Sequence, residues 1–274
     1  MHLYNGKTSA STVLNTGAPQ GCVLSPLLFS LFTNNCTSHH SSVKLIKFAD
    51  DTTLVGLITN ADESAYREEV ARLVAWGETN YLQLNTTKTK EMVVDLRRNK
   101  STMNAVVVDS HAIERVTSFK FLGATISATL TWEAHCDALL KKAQQRLYFL
   151  RQLKRFGLRR EILSQFYRST IESILTFCLC VWFRGAPKQL RNRMQRVVKT
   201  AVRITGCDSL PTLEDIYCQR TIARSRKIVA DPQHPAYHLF QLMPSGKRYR
   251  SIRARTTRFK NSFYPQAVTT LNEQ

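Results

Sequence analysis

The chain has 274 residues, enough for one large or two small domains with a substantial core, and its 43% apolar content is ordinary for a globular protein. Its net charge of +19 is not ordinary: residues 141–260 hold 27 Lys/Arg against 6 Asp/Glu, a one-sided block of the kind that lies along phosphates, a solubilising surface or attraction to anionic lipid being the other readings. Seven cysteines without a Cys-x-x-Cys pair argue against a disulfide framework and for reduced thiols, the Ser/Thr-rich start is unlike a secretory signal, and the longest apolar run, Ile174 to Phe183, is about half the ~20 residues that span a bilayer. An intracellular location, nuclear or cytoplasmic, and no membrane insertion are therefore expected.

In chain order, the first signal is Gly17-Ala18-Pro19-Gln20-Gly21, a glycine- and proline-punctuated loop that runs into a helix-like apolar stretch through Phe29. Glycines let backbone approach a ligand, although a plain turn entering a core helix has the same composition. Val43 to Ala49 and Thr52 to Ile58 then read as strands, so the simplest geometry is a hairpin with Asp50 and Asp51 at its tip. Such an acid pair is either a solvated turn or a pair of hard oxygen ligands for Mg²⁺. Asn60-Ala61-Asp62-Glu63 has the form of a capping box with Asn60 as cap, opening a helix with the stripe Tyr66, Val70, Leu73, Val74 and Gly77. Leu82 to Asp95 switches to strand-like alternation and carries Lys88 and Lys90, and Phe119 to Gly123 reads as a hydrophobic hairpin.

Three amphipathic helices follow. The first uses Leu139, Leu140, Ala143, Leu147, Leu150, Leu153 and Phe156 before Gly157; the second runs from Ile162 through Phe166, Ile171, Ile174, Leu175 and Cys178 to Trp182. After Gly185-Ala186-Pro187 the third shows Leu190, Met194, Val197, Val198, Ala201 and Ile204, ending at Gly206. Their complementary faces carry Arg151, Lys154, Arg155, Arg159, Arg160, Arg193, Arg196 and Lys199. From Pro211 onward proline, histidine and arginine become frequent. The ten residues between Cys207 and Cys218 are too many for a compact zinc finger.

The Gly17 loop, the segment Lys47-Phe48-Ala49-Asp50-Asp51-Thr52-Thr53-Leu54, the stretch Leu82 to Met92 and the segment Ser118 to Gly123 stand in the order of four motifs of a known family. In this the chain resembles the reverse transcriptases of non-long-terminal-repeat (LINE-like) retrotransposons, and the likeness continues through the basic half. The resemblance implies an α+β fold: a partial polymerase palm over residues 1–130, an antiparallel sheet with backing helices, followed by an all-helical basic thumb over 131–206 and a partly irregular basic region over 207–274. It also implies roles. Gln20, Gly21 and Phe48 would meet substrate, Asp50 and Asp51 would hold Mg²⁺ as catalytic ligands, and Lys88 would approach the departing pyrophosphate, Lys88 and Lys90 being otherwise solvated strand lysines. Leu122 and Gly123 would hold the primer's end, and the basic helices would follow an RNA template and DNA primer through backbone contacts.

Template-directed synthesis from dNTPs uses two Mg²⁺ ions, roughly 3.5–4 Å apart, and so a third carboxylate. In the family that residue precedes the loop equivalent to Gly17, and Met1 to Thr16 contain no Asp or Glu. The resemblance therefore implies a C-terminal remnant that binds nucleic acid but is not a polymerase by itself. One alternative is a non-catalytic RNA- or DNA-binding module. Another is an AlkB-type alkylation-repair homologue, since Glu133 to Leu175 resembles a segment named for the N-terminal part of such a protein. His135-Cys136-Asp137 with His234 or His238 would then form an iron triad, an arrangement that belongs on a double-stranded β-helix rather than in a helical run.

Overall fold

The computed structural model describes residues 3–4, 7–8, 21–97, 103–207 and 210–273. The chain divides into two compact units, Met1–Glu91 with Asn99–Arg115, and Met92–Arg98 with Val116–Gln274. Among the described residues, short strands and helices share the chain up to Ser127 and only helical elements follow, an α+β composition. Gln20 lies outside the described residues.

The first unit begins with the two-residue strands β1 (Leu3–Tyr4) and β2 (Lys7–Thr8). Helix α1 (Leu24–Phe32) follows, then the antiparallel pair β3 (Val43–Phe48) and β4 (Asp51–Gly56), and helix α2 (Ser64–Thr79). Strand β5 (Lys90–Glu91) pairs in parallel with β8 (Glu114–Arg115), and β6 (Val107–Val108) pairs with β7 (His111–Ala112). Val106, Val108 and Ile113 bury against Tyr66, Val70, Val74 and Leu84, so most of the stripe expected of α2 does pack into a core. The helix starts later than its capping box suggested. Asn60 and Ala61 both take positive φ in a tight turn closed by Asp62 N–H to the Thr59 carbonyl, and Asp62 Oδ1 instead accepts the Ser64 N–H at 2.9 Å.

Glu69 is the buried acid of α2. Its Oε1 accepts the backbone N–H of His39 at 2.9 Å and of His40 at 2.8 Å and pairs with Arg72 at 3.0 Å. Burial alone would raise its pKa, but these donors outweigh it and hold the carboxyl below its ordinary value of 4.5. Its contribution to stability is therefore present above that value and lost as pH falls through the lower folded one. Glu69→Gln should lower unfolding stability by about 1.5–3 kcal/mol, the range for hydrogen bonds to a charged group, and flatten the acid limb of stability against pH in urea titrations.

The expected antiparallel sheet does not form among the described residues. Among the described residues the strands form five two-stranded ladders, one of them parallel. Several strands are only two residues long, and a pair of ladder bonds is too little to recruit a third strand.

The second unit opens with the antiparallel hairpin β9 (Ser118–Phe121) and β10 (Ala124–Ser127). Helix α3 (Glu133–Arg155) ends just before Gly157, and α4 (Arg160–Phe166) leads into a π-helical turn over Tyr167–Glu172, then α5 (Ser173–Leu175) and α6 (Leu179–Trp182). Helix α7 (Lys188–Thr205) begins after Pro187 and stops at Gly206, whose φ of 70 is the left-handed conformation glycine adopts at little cost. Helix α8 (Leu213–Val229) starts with a reciprocal capping box between Thr212 and Asp215, and a short 3₁₀ turn at Tyr237–Leu239 precedes α9 (Thr257–Lys260) and α10 (Phe263–Asn272). Leu140, Ala143, Leu147 and Leu150 of α3 share one apolar cluster with Met194, Val197, Val198 and Ala201 of α7. A smaller cluster joins Ile228 to Phe240, Ala267 and Val268.

Two expectations fail here. Phe156, counted with the buried stripe of α3, is 79% exposed. The second long helix is broken into segments: Ser169, Thr170, Ser173 and Thr176 all bond back to carbonyls one turn earlier, and Cys178 adopts a φ of 48. The break is held by one local and one long-range donor. The Trp182 indole N–H donates to the Phe177 carbonyl at 2.8 Å and Arg220 to the Thr176 carbonyl at 2.6 Å.

Candidate functional site

The acid pair sits where the chain reverses between β3 and β4. Phe48 pairs with Asp51, so Ala49 and Asp50 form a two-residue turn, Ala49 at a φ of 52. A left-handed alanine costs about 1 kcal/mol, so the surrounding ladder imposes this turn. Asp50 and Asp51 are both exposed, and Phe48 beside them is 61% exposed. Lys47, the cation three residues before Asp50, is engaged elsewhere: its ammonium donates to the carbonyls of Thr33 and Cys36 and closes the end of α1.

Gly21 lies at a φ of 82 ahead of α1. That helix is apolar nearly all round yet buries none of its residues; Leu24, Leu27, Leu28 and Leu31 are all exposed. A helix of this composition ordinarily lies inside a larger core.

The two lysines that sequence left equivalent differ in structure. Lys90 pairs with Glu114 and also donates to the Thr87 carbonyl, while Lys88 is exposed in a turn whose backbone is fixed by Asn85. Lys90 is thus part of a charged ladder with Glu91, which is buried and bonded to Arg115 at 2.8 Å.

In the second unit, Leu122 and Gly123 form the two-residue turn between β9 and β10, with φ of 44 and 87. A Cβ on Gly123 would come within 2.8 Å of the Phe177 ring, so both the turn and the packing require glycine. Of the basic residues expected to face a polyanion, Arg151, Lys154 and Arg155 lie on α3, and Arg193, Arg196 and Lys199 on α7; all six are exposed. Two of them also have internal duties: Lys154 donates to the Arg203 carbonyl at 3.3 Å and Arg193 pairs with Asp137 at 3.4 Å. Arg159 precedes α4 and Arg160 begins it, both exposed.

His135 is buried between the edges of Trp132 and Trp182, and its Nδ1 accepts the Thr125 N–H. Burial first, then nearby Lys142, pushes its pKa down. Asp137, two residues on, is exposed and paired with Arg193, so the two side chains leave α3 in different directions. No three His, Cys, Asp or Glu side chains gather as a metal site among the described residues. No helix among them is long and apolar enough to cross a membrane. All seven cysteines are free thiols, and burial raises Cys136 to about 12.

Sequence reading passed over Glu69 and Phe149, and took the exposed Phe156 for part of the core stripe of α3. The missed signal for Phe149 and Phe156 was a second line of large side chains along α3, outside its core stripe.

Residues 2–126 match the family model described as "Reverse transcriptase (RNA-dependent DNA polymerase)". Residues 132–173 match that of "Alkylated DNA repair protein alkB homolog 8, N-terminal". Among curated proteins, the chain is 27% identical over 211 residues to "Probable RNA-directed DNA polymerase from transposon BS" of Drosophila melanogaster, covering 73% of this chain and 23% of that protein. It is 23% identical to "RNA-directed DNA polymerase from mobile element jockey" of the same species, covering 77% and 24%, and 21% identical to "Probable RNA-directed DNA polymerase from transposon X-element", covering 75% and 23%. The chain thus spans about a quarter of the length of these relatives. No solved structure gives a significant match.

Proposed function

We propose that this chain, a relative of the reverse transcriptases of LINE-like retrotransposons, supplies part of an RNA-directed DNA polymerase: two of the metal-binding carboxylates and a cationic helical arm for the template–primer duplex. The observation that carries this reading is the placement of Asp50 and Asp51 at an enforced hairpin turn inside the segment that matches the reverse transcriptase family. Residues 1–130 then correspond to a partial palm, 131–206 to the thumb and 207–274 to a basic C-terminal region. The unburied apolar helix α1 supports a palm whose packing partners lie outside the described residues.

Adjacent exposed carboxylates fit Mg²⁺, which binds through one or two carboxylates and keeps several waters until phosphate oxygens replace them. When bound in such enzymes, the ions lower the barrier to attack by the primer's 3′ oxygen and neutralise charge on the triphosphate. In this chain Asp50 and Asp51 would supply oxygen ligands, and the backbone of the turn would fix their spacing. Lys88, exposed where Lys90 is engaged, is the better placed of the two to meet the departing pyrophosphate. Gln20, Gly21 and Phe48 would border the nucleotide, and Leu122 with Gly123 the primer's end.

Two carboxylates do not complete a two-ion clamp. The 274-residue polypeptide alone is therefore expected to bind primed RNA in a salt-dependent way and not to extend the primer in Mg²⁺ and dNTPs. Extension abolished by Asp50→Asn would overturn the inactivity, and salt-insensitive binding would overturn the arm. The acid pair itself can be read by NMR. Mn²⁺, standing in for Mg²⁺, should broaden the amides of residues 48–52 in the chain and not in Asp50→Asn; broadening that survives the substitution sinks the metal role.

The non-catalytic RNA- or DNA-binding reading uses the same arm. A dioxygenase site has less support, because His135 is buried with Nδ1 engaged while Asp137 faces solvent and an arginine.

A further inference from the structure

Helix α3 has two long faces. One enters the core through Cys136, Leu139, Leu140, Ala143, Leu147 and Leu150. On another side Lys142, Gln145, Phe149, Gln152 and Phe156 recur at three- and four-residue spacing and so form a line. Together with Arg146, Leu153 and Phe166 of α4, the last four of these border an open groove of about 590 Å³, within the range of roughly 300–1,000 Å³ usual for small-ligand sites. Phe149 is 55% and Phe156 79% exposed, a costly arrangement for two large rings if nothing ever covers them.

What covers them is indicated by charge. Residues 141–160 contain eight Lys/Arg and no Asp/Glu, so the groove's surroundings favour a polyanion and oppose a cationic peptide. A duplex offers phosphates but keeps its base faces stacked; an unpaired strand offers both phosphates and free ring faces. Gln145 and Gln152 add amide donors and acceptors at the groove's edge, suited to base edges.

We infer that this groove is a binding site for an unstacked base of single-stranded RNA or DNA, with Phe149 and Phe156 as stacking platforms and Lys142 and Arg146 holding the flanking phosphates. The inference rests on the nucleic-acid reading above but names a different surface and a different state of the ligand from the duplex-following arm. It places an unpaired stretch, such as template or displaced strand, against α3 and α4.

The test uses the full chain, a single strand of about 20 nucleotides carrying 2-aminopurine, and an RNA–DNA duplex of equal length, with binding read by anisotropy and stacking by quenching of the 2-aminopurine. Phe149→Leu/Phe156→Leu should weaken single-strand binding by about 10- to 100-fold, as expected for loss of base–aromatic stacking, and relieve the quenching. Duplex affinity and its salt dependence should stay as in the unaltered chain. Phe149→Trp, which keeps a ring, should retain strand binding and quenching. Unchanged single-strand affinity in the double variant would overturn the site, as would an equal loss of strand and duplex in a variant whose circular dichroism is unaltered. If the unaltered chain binds neither ligand, it is the broader nucleic-acid reading that has failed.

Discussion

Replacing Arg151, Arg155, Arg196 and Lys199 together by alanine is expected to weaken binding to an RNA–DNA duplex by on the order of 100-fold at low salt. The slope of log affinity against log salt should fall by about 3 to 4, close to one counterion for each phosphate that the variant no longer neutralises. These four are chosen because α3 and α7 bury their apolar faces in one cluster, leaving the charges on the outer sides of two neighbouring helices. Lys154 and Arg193 are left in place because each also has an internal partner, and their removal would mix binding with stability. Binding should weaken to a similar degree for unrelated sequences, since backbone contacts carry no sequence information. A salt slope that does not move would remove the arm from the interface.

The second large effect concerns folding. Trp182 is fully buried, lies edge-on to His135 and Phe183, and its indole N–H satisfies the Phe177 carbonyl where the helix is interrupted. Trp182→Ala should cost about 3–5 kcal/mol through the cavity and the forfeited transfer energy. Trp182→Phe should cost less, about 1–3 kcal/mol, dominated by the carbonyl left without its donor. Urea midpoints followed by helical circular dichroism separate the two. Equal small losses for both variants would mean that the core collapses around the site and that the indole bond matters little.

Both outcomes bear on what the sequence could convey. Helix ends set by local backbone chemistry were legible: Gly157 after α3, Pro187 before α7 and Gly206 after it all act through their own φ angles. The hairpin was legible too, because two runs of β-branched and apolar residues, Val43 to Ala49 and Thr52 to Ile58, leave room only for a short turn; the structure closes it one residue earlier than the acid pair, at Ala49 and Asp50, with Asp51 opening β4. The segments of the 160–182 run were not. Their periodicity is continuous, and the interruption depends on Arg220 reaching a carbonyl from elsewhere in the chain and on the Trp182 indole folding back to the Phe177 carbonyl.

Asn60 misled for a related reason, since its side chain suits a cap but its backbone takes the left-handed turn that Asp62 then follows. The start of α8 was readable and overlooked: Thr212 and Asp215 form the capping box with aspartate in the place usually held by Glu or Gln. For the candidate site, residue types and order were visible in the motifs. What distinguishes Lys88 from Lys90 was not, because the Glu114 that engages Lys90 is 24 positions away.

The interrupted run between α5 and α6 has a further consequence. The Thr176 carbonyl is bonded by Arg220 of α8, so local opening at Thr176 has to disengage a residue of a distant helix as well. Amide exchange around Leu179 and around Arg220 should therefore slow or quicken in step. A hinge would loosen on one side alone; this joint is latched from both.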